Sequence, residues 1–144
     1  MRNPFETIPS LLKLMKRSWQ MRKWDEPQMN RSLRALADQS VHTYRYPLEV
    51  LASHPQTRSA VVDYRQLVAE PLATVTEVYE KLGFAMSSAF RDALAAEERK
   101  ARAHESLHRY SLEEFGLDAN EIQSRLAPLF ERFGWKRMEG GVHG

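Results

Sequence analysis

Two groupings of residues in this chain could do chemistry. His104-Glu105-Ser106-Leu107-His108 spells H-E-x-x-H. On a helix, that spacing sets two imidazoles one turn apart on one face, with the glutamate placed as a general base beside zinc. The surroundings argue against metal. Arg99, Lys100, Arg102 and Arg109 crowd the motif, and like charges oppose binding of a dication. The only apolar residues there are Ala101, Ala103 and Leu107, and no third ligand is identifiable, although Glu121 or Glu131 could be proposed. No metal is expected. The second grouping is cationic. Arg2 precedes Asn3-Pro4, and Ser10 stands eight residues after it. A guanidinium can grip a phosphate with two parallel hydrogen bonds. A hydroxyl adds one more, and a helix N-terminus favours an anion. The bland alternative is an arginine ahead of a helix-starting Asn-Pro. Lys100, Arg102, His104, His108 and Arg109 form a further basic stretch, either a lid over an anion or a solvated surface.

The elements that must position these residues read as mostly helical. Phe5 to Lys23 is amphipathic, with Ile8, Leu11, Leu12, Met15 and Trp19 on one face and Lys13, Lys16, Arg17 and Lys23 on the other. Its apolar face suits a core. A basic amphipathic helix can also lie on an anionic membrane or a partner, but the core explains it first. A second helix is expected from Pro27 to about Ala37. Val41 to Ala52 is ambiguous, helical by its apolar spacing and interrupted at Pro47. Ser59 to Tyr64 is the best strand: short, with two successive valines, and suited to a parallel sheet covered on both faces. Pro71 opens a helix closed by Gly83, and another runs from about Ser88 to Arg99. Ser111-Leu112-Glu113-Glu114 and Asp118-Ala119-Asn120-Glu121 both match the capping box. The second should start a helix that buries Ile122, Leu126, Leu129, Phe130 and Phe133 and kinks at Pro128. Residues 140–144 read as a flexible tail.

The composition allows one domain with a real core: 144 residues, 42% hydrophobic and 28% charged. A net charge of +2 is too small to argue for nucleic acid. No cysteine is present, which excludes disulfides and thiolate sites and fits a reducing cytoplasm. Pro4 follows Met1-Arg2-Asn3 with no long apolar run behind it, so no secretory signal is expected. Lysines and arginines interrupt every apolar stretch, so no membrane partner is expected either.

Three segments resemble the bacterial branch of the sulfotransferase family, which uses 3′-phosphoadenosine 5′-phosphosulfate. Met1-Arg2-Asn3-Pro4 with Ser10 is similar to the family's Arg-(Asp/Asn)-Pro segment and its following serine, which hold the donor's 3′-phosphate. Val61 to Pro71, followed by Val78-Tyr79-Glu80-Lys81-Leu82-Gly83-Phe84, resembles a family strand ending in Tyr and the helix after it. His108 to Leu117, with Arg132-Phe133-Gly134-Trp135, looks like the C-terminal signature. The Lys-Gly or Arg-Gly pair seen in many members is absent. Which cation of the basic loop would reach phosphate therefore stays open.

The resemblance covers almost the whole chain in the family's order. It implies a helix-rich α/β domain, the C-terminal half of a nucleoside-kinase-like P-loop fold with one parallel strand and five or six helices. The implied reaction is sulfuryl transfer to an acceptor hydroxyl or amine. The implied nucleotide-binding residues are Arg2 and Ser10 for the 3′-phosphate, Tyr64 near the adenine, and Lys100, Arg102 and Arg109 in the lid. No catalytic residue carries over, because the family's phosphosulfate loop and general base have no counterpart in this sequence. The chain alone is expected to be inactive. Its expected partners are the donor nucleotide, an acceptor, and either a missing N-terminal half or a second copy. A non-catalytic helical interaction module is the alternative, and an H-E-x-x-H zinc hydrolase built on His104 and His108 is a minor one.

Overall fold

A computed structural model describes residues 1–101 and 111–136, the side chains of Lys100 and Ala101 excepted. The described residues form seven α-helices and one 3-10 turn, with no strand. The helices are α1 (Pro4–Met21), α2 (Glu26–Ser53), α3 (Tyr64–Ala69), α4 (Pro71–Leu82), α5 (Ser88–Ala101), α6 (Ala119–Arg125) and α7 (Ala127–Phe133); the 3-10 turn is Glu113–Phe115. The chain divides into two compact units. The first comprises Met1–Arg2 and Val50–His108, and the second comprises Asn3–Glu49 and Arg109–Gly144.

The second unit holds the hydrophobic core. Asn3 starts α1 as its N-cap: its side-chain oxygen accepts from the Phe5 N–H at 3.0 Å. Pro4 follows in the first turn, where a missing N–H costs nothing. From there Phe5, Ile8, Leu12 and Trp19 turn inward at helical spacing and are buried. Met29, Leu33, Ala37 and Val41 do the same on α2. Leu112, Ala119, Ile122, Leu126, Leu129, Phe130 and Trp135 complete the set. The rings of Phe5 and Phe130 meet at 4.8 Å, and Trp135 lies flat against Phe133 at 4.7 Å. Each fully buried Ile or Leu here contributes roughly 1.5–3 kcal/mol.

Prolines act differently at two places. Pro47 does not interrupt α2, which runs unbroken from Glu26 to Ser53. Pro47 lies on an exposed face, so the carbonyl that loses its N–H partner turns to water instead. At Pro128 the expected kink is a full break: α6 stops at Arg125, Leu126 leaves helical geometry, and α7 restarts with Pro128 in its first turn. Asp118 caps α6 by accepting from the Asn120 N–H at 2.8 Å. Ser111 is not a cap. Its hydroxyl donates to Glu113 at 2.6 Å, and the segment closes as a 3-10 turn ending at Gly116.

The first unit corrects the expected α/β architecture. Ser59 to Asp63 is not a strand, and Tyr64 already belongs to α3. A strand exists by pairing its backbone with neighbours, and this segment has one paired position. The Met1 amine donates to the Val62 carbonyl, and the Tyr64 N–H donates to the Met1 carbonyl at 2.6 Å. Asp63 then turns the chain into α3 by accepting from the Arg65 N–H. Two valines have too little β-propensity to outweigh that cap. α4 and its Gly83 stop lie where expected, with Gly83 at φ 77°. Its apolar face is only half covered. Among the described residues of this unit Thr74 alone is buried, its hydroxyl donating to the Gln66 carbonyl at 3.3 Å.

Candidate functional site

Arg2 and Tyr64 meet in the first unit. The Arg2 guanidinium lies over the Tyr64 ring, 5.1 Å from its centroid. Two local features hold this arrangement. The backbone pairing of Met1 with Val62 and Tyr64 anchors the residue before Arg2, and the Asp63 cap fixes the first turn of α3, on which Tyr64 stands. Tyr64 is 43% exposed and Arg2 half-buried, so the pair opens onto solvent. A cation over an aromatic face gains electrostatically from the ring quadrupole.

The neighbouring charges are largely offset. Asp63 would repel an anion, but Arg65 donates to its Oδ2 from Nε at 3.0 Å and from Nη2 at 2.6 Å, and Nε also reaches Oδ1 at 3.3 Å. Burial holds the Met1 amine below its ordinary pKa, and the Asp63 charge opposes that shift. Arg65 was not among the expected site residues. Its signal was an Asp-x-Arg step at a helix start, too common to single out.

The other expected site residues are not all in this unit. Ser10 stands on α1 in the second unit, half-buried. The Lys100 side chain, Arg102 and Arg109 lie outside the described residues. So does His104 to His108, the H-E-x-x-H match. Among the described residues, no cluster of His, Asp and Glu could hold a metal ion.

Neither of two cavities suits a nucleotide. One in the first unit, about 120 Å³, lies among Val61, Val62, Gln66, Thr74 and Val78; Arg2 and Tyr64 do not line it. It is below the 300–1,000 Å³ (roughly) of ordinary ligand pockets. A cleft of about 290 Å³ in the second unit is lined by Arg34, Asp38, Asp118, Glu121 and Arg125 among others. Arg125 donates to Asp38 at 2.8 Å and to Glu121 at 3.4 Å. The Asp38 hydrogen bond, above all, raises the Arg125 pKa further. Three carboxylates against two guanidiniums leave no surplus positive charge for a phosphate.

No family model, curated protein or solved structure matches this chain. No helix among the described residues is long and apolar enough to cross a membrane.

Proposed function

We propose that the first unit binds a 3′-phosphoadenosine nucleotide, with Arg2 on the 3′-phosphate and Tyr64 against the adenine. In this reading the chain supplies that side of a sulfuryl transfer from 3′-phosphoadenosine 5′-phosphosulfate. The acceptor oxygen or nitrogen forms its bond to sulfur as the bond from sulfur to the 5′-phosphate oxygen breaks, and the acceptor proton is lost to a base. The single observation that supports it is the Arg2–Tyr64 contact. The family resemblance gives these two residues neighbouring parts of one nucleotide, and they lie side by side although far apart in the chain. One face of the ring carries the guanidinium, and a purine can stack on the other. Lys100 and Arg102, which belong to the same unit, are further proposed contacts of the nucleotide.

Calorimetric titration of 3′-phosphoadenosine 5′-phosphate and adenosine 5′-monophosphate tests this. The first should bind more tightly, because only it carries the 3′-phosphate. A charged hydrogen-bonded contact contributes roughly 1.5–3 kcal/mol, so Arg2→Ala should remove most of the preference. Tyr64→Ala should weaken both nucleotides alike. Equal affinities in the unmodified chain would remove the assignment.

A further inference from the structure

The core explains one face of α1 and leaves another over. Leu14 follows the buried Leu12 by two residues, and Met21 follows the buried Trp19 by two. At 3.6 residues per turn, both point about 200° away from the core. Leu14 is 65% exposed and Met21 73% exposed. They stand seven residues apart, two turns along one stripe, with Arg17 between them. The helical period that buries Ile8 and Leu12 therefore does not account for them.

Cations surround this stripe. From Thr7 to Trp24 the sequence contains Lys13, Lys16, Arg17, Arg22 and Lys23 and no acid. Lys13 and Lys16 approach Glu114 at 3.9 and 4.0 Å. Arg17, Arg22 and Lys23 are exposed and make no ion pair among the described residues. At the end of the helix Lys23 takes a left-handed conformation, φ 57°. Trp24, half-buried, stacks on Trp19 at 4.9 Å with 2° between the rings. Asp25 follows, engaged as a cap by the Gln28 N–H at 2.7 Å.

We propose that this face of α1 docks on an anionic lipid bilayer. Two exposed apolar side chains gain nothing in water, and a purely acidic protein surface would not use them. A bilayer offers both halves of the match. Anionic headgroups meet Arg17, Arg22 and Lys23, and the boundary of the acyl region takes Leu14 and Met21. The helix lies in the interface plane and does not span it. The inference is independent of the nucleotide reading, which concerns the first unit.

Sedimentation of the full chain with large vesicles tests it. Vesicles of phosphatidylcholine with about one-third phosphatidylserine should bind the chain, pure phosphatidylcholine should not, and raised salt should release it. Arg17→Gln should lower the partition coefficient about fivefold, and Leu14→Ser with Met21→Ser about tenfold. Arg45→Gln, an exposed arginine on α2 paired with Glu49, should change nothing. All of these positions are exposed, so an unchanged circular dichroism spectrum confirms that each variant is folded. Absence of binding to the anionic vesicles would overturn the proposal. So would binding that is insensitive to Leu14 and Met21 and matched by polyglutamate, which would identify the face as a site for acidic polymers.

Discussion

The amide nitrogen of Asn3 donates to the carbonyl of Lys136 at 3.1 Å, while its oxygen caps α1. One buried side chain thus starts the first helix of the second unit and ties it to the chain after α7. Asn3→Ala should cost roughly 1–3 kcal/mol, by loss of the cap and by leaving polar groups unpaired. Asn3→Ser restores the cap alone and should recover part of that loss. Asn3→Asp keeps the cap but turns a carboxylate toward a carbonyl, so it should do no better than Ser. Urea unfolding of the three variants checks the order; equal stabilities would show that neither bond matters.

Burial is concentrated in one unit, so truncations of equal size should differ in cost. Leu12 is 1% exposed, and Leu12→Ala should cost about 2–5 kcal/mol. Leu72, on the half-covered face of α4, should cost about 1 kcal/mol, because the lost area was already partly in water. In hydrogen exchange, α1 amides should be the slowest and α3 amides among the fastest. Equal protection in both helices would contradict this distribution of burial.

At Gly83 a Cβ would meet Arg58 Nη1 at 2.6 Å, whereas at Gly134 it would meet nothing within 4 Å. The Arg58 contact is the far end of a flexible, exposed side chain that donates to the Leu82 carbonyl at 3.2 Å. It can swing away at little cost. Both substitutions to Ala should therefore cost about 1 kcal/mol, set by the left-handed backbone. Arg58→Ala should change the Gly83→Ala result by less than about 0.5 kcal/mol. A much larger rescue would mean that Arg58 is fixed in place.

Arg125 bridges Asp38 on α2 and Glu121 on α6. Both acids are well exposed, so a double-mutant cycle between Arg125→Ala and Asp38→Ala should give only about 0.2–1 kcal/mol, shrinking with added salt. A coupling that persists at high salt would point to burial of the pair in solution.

Helices were legible in this sequence wherever apolar residues recur with a cap or a stop beside them. Asn3-Pro4 before Phe5, Asp118 before Ile122 and Gly83 after Leu82 each carry a local physical reason that needs no distant partner. The segment from Ser59 to Asp63 was misread for the opposite reason. A strand depends on neighbours that its own residues do not reveal, and the local Asp63 cap competes with extension. Pro47 was misread because whether a proline breaks a helix depends on which face it occupies. Arg2 and Tyr64 were both chosen from the sequence, on a family resemblance. Their contact depends on backbone pairing at Met1, which no spacing rule reports.

The three tryptophans, Trp19, Trp24 and Trp135, all belong to the second unit. Tyr64 and Tyr79 are chromophores of the first. The Trp135 indole N–H is buried without a hydrogen-bond partner, so its emission should be blue in the folded chain and move to the red when the core opens. Intrinsic fluorescence of this protein is therefore a one-sided optical probe. A denaturation curve followed by tryptophan emission reports the unit built on Leu12 and Phe130, and a curve followed by helical ellipticity reports both. Any gap between the two traces measures directly how independently the unit carrying Arg2 and Tyr64 melts.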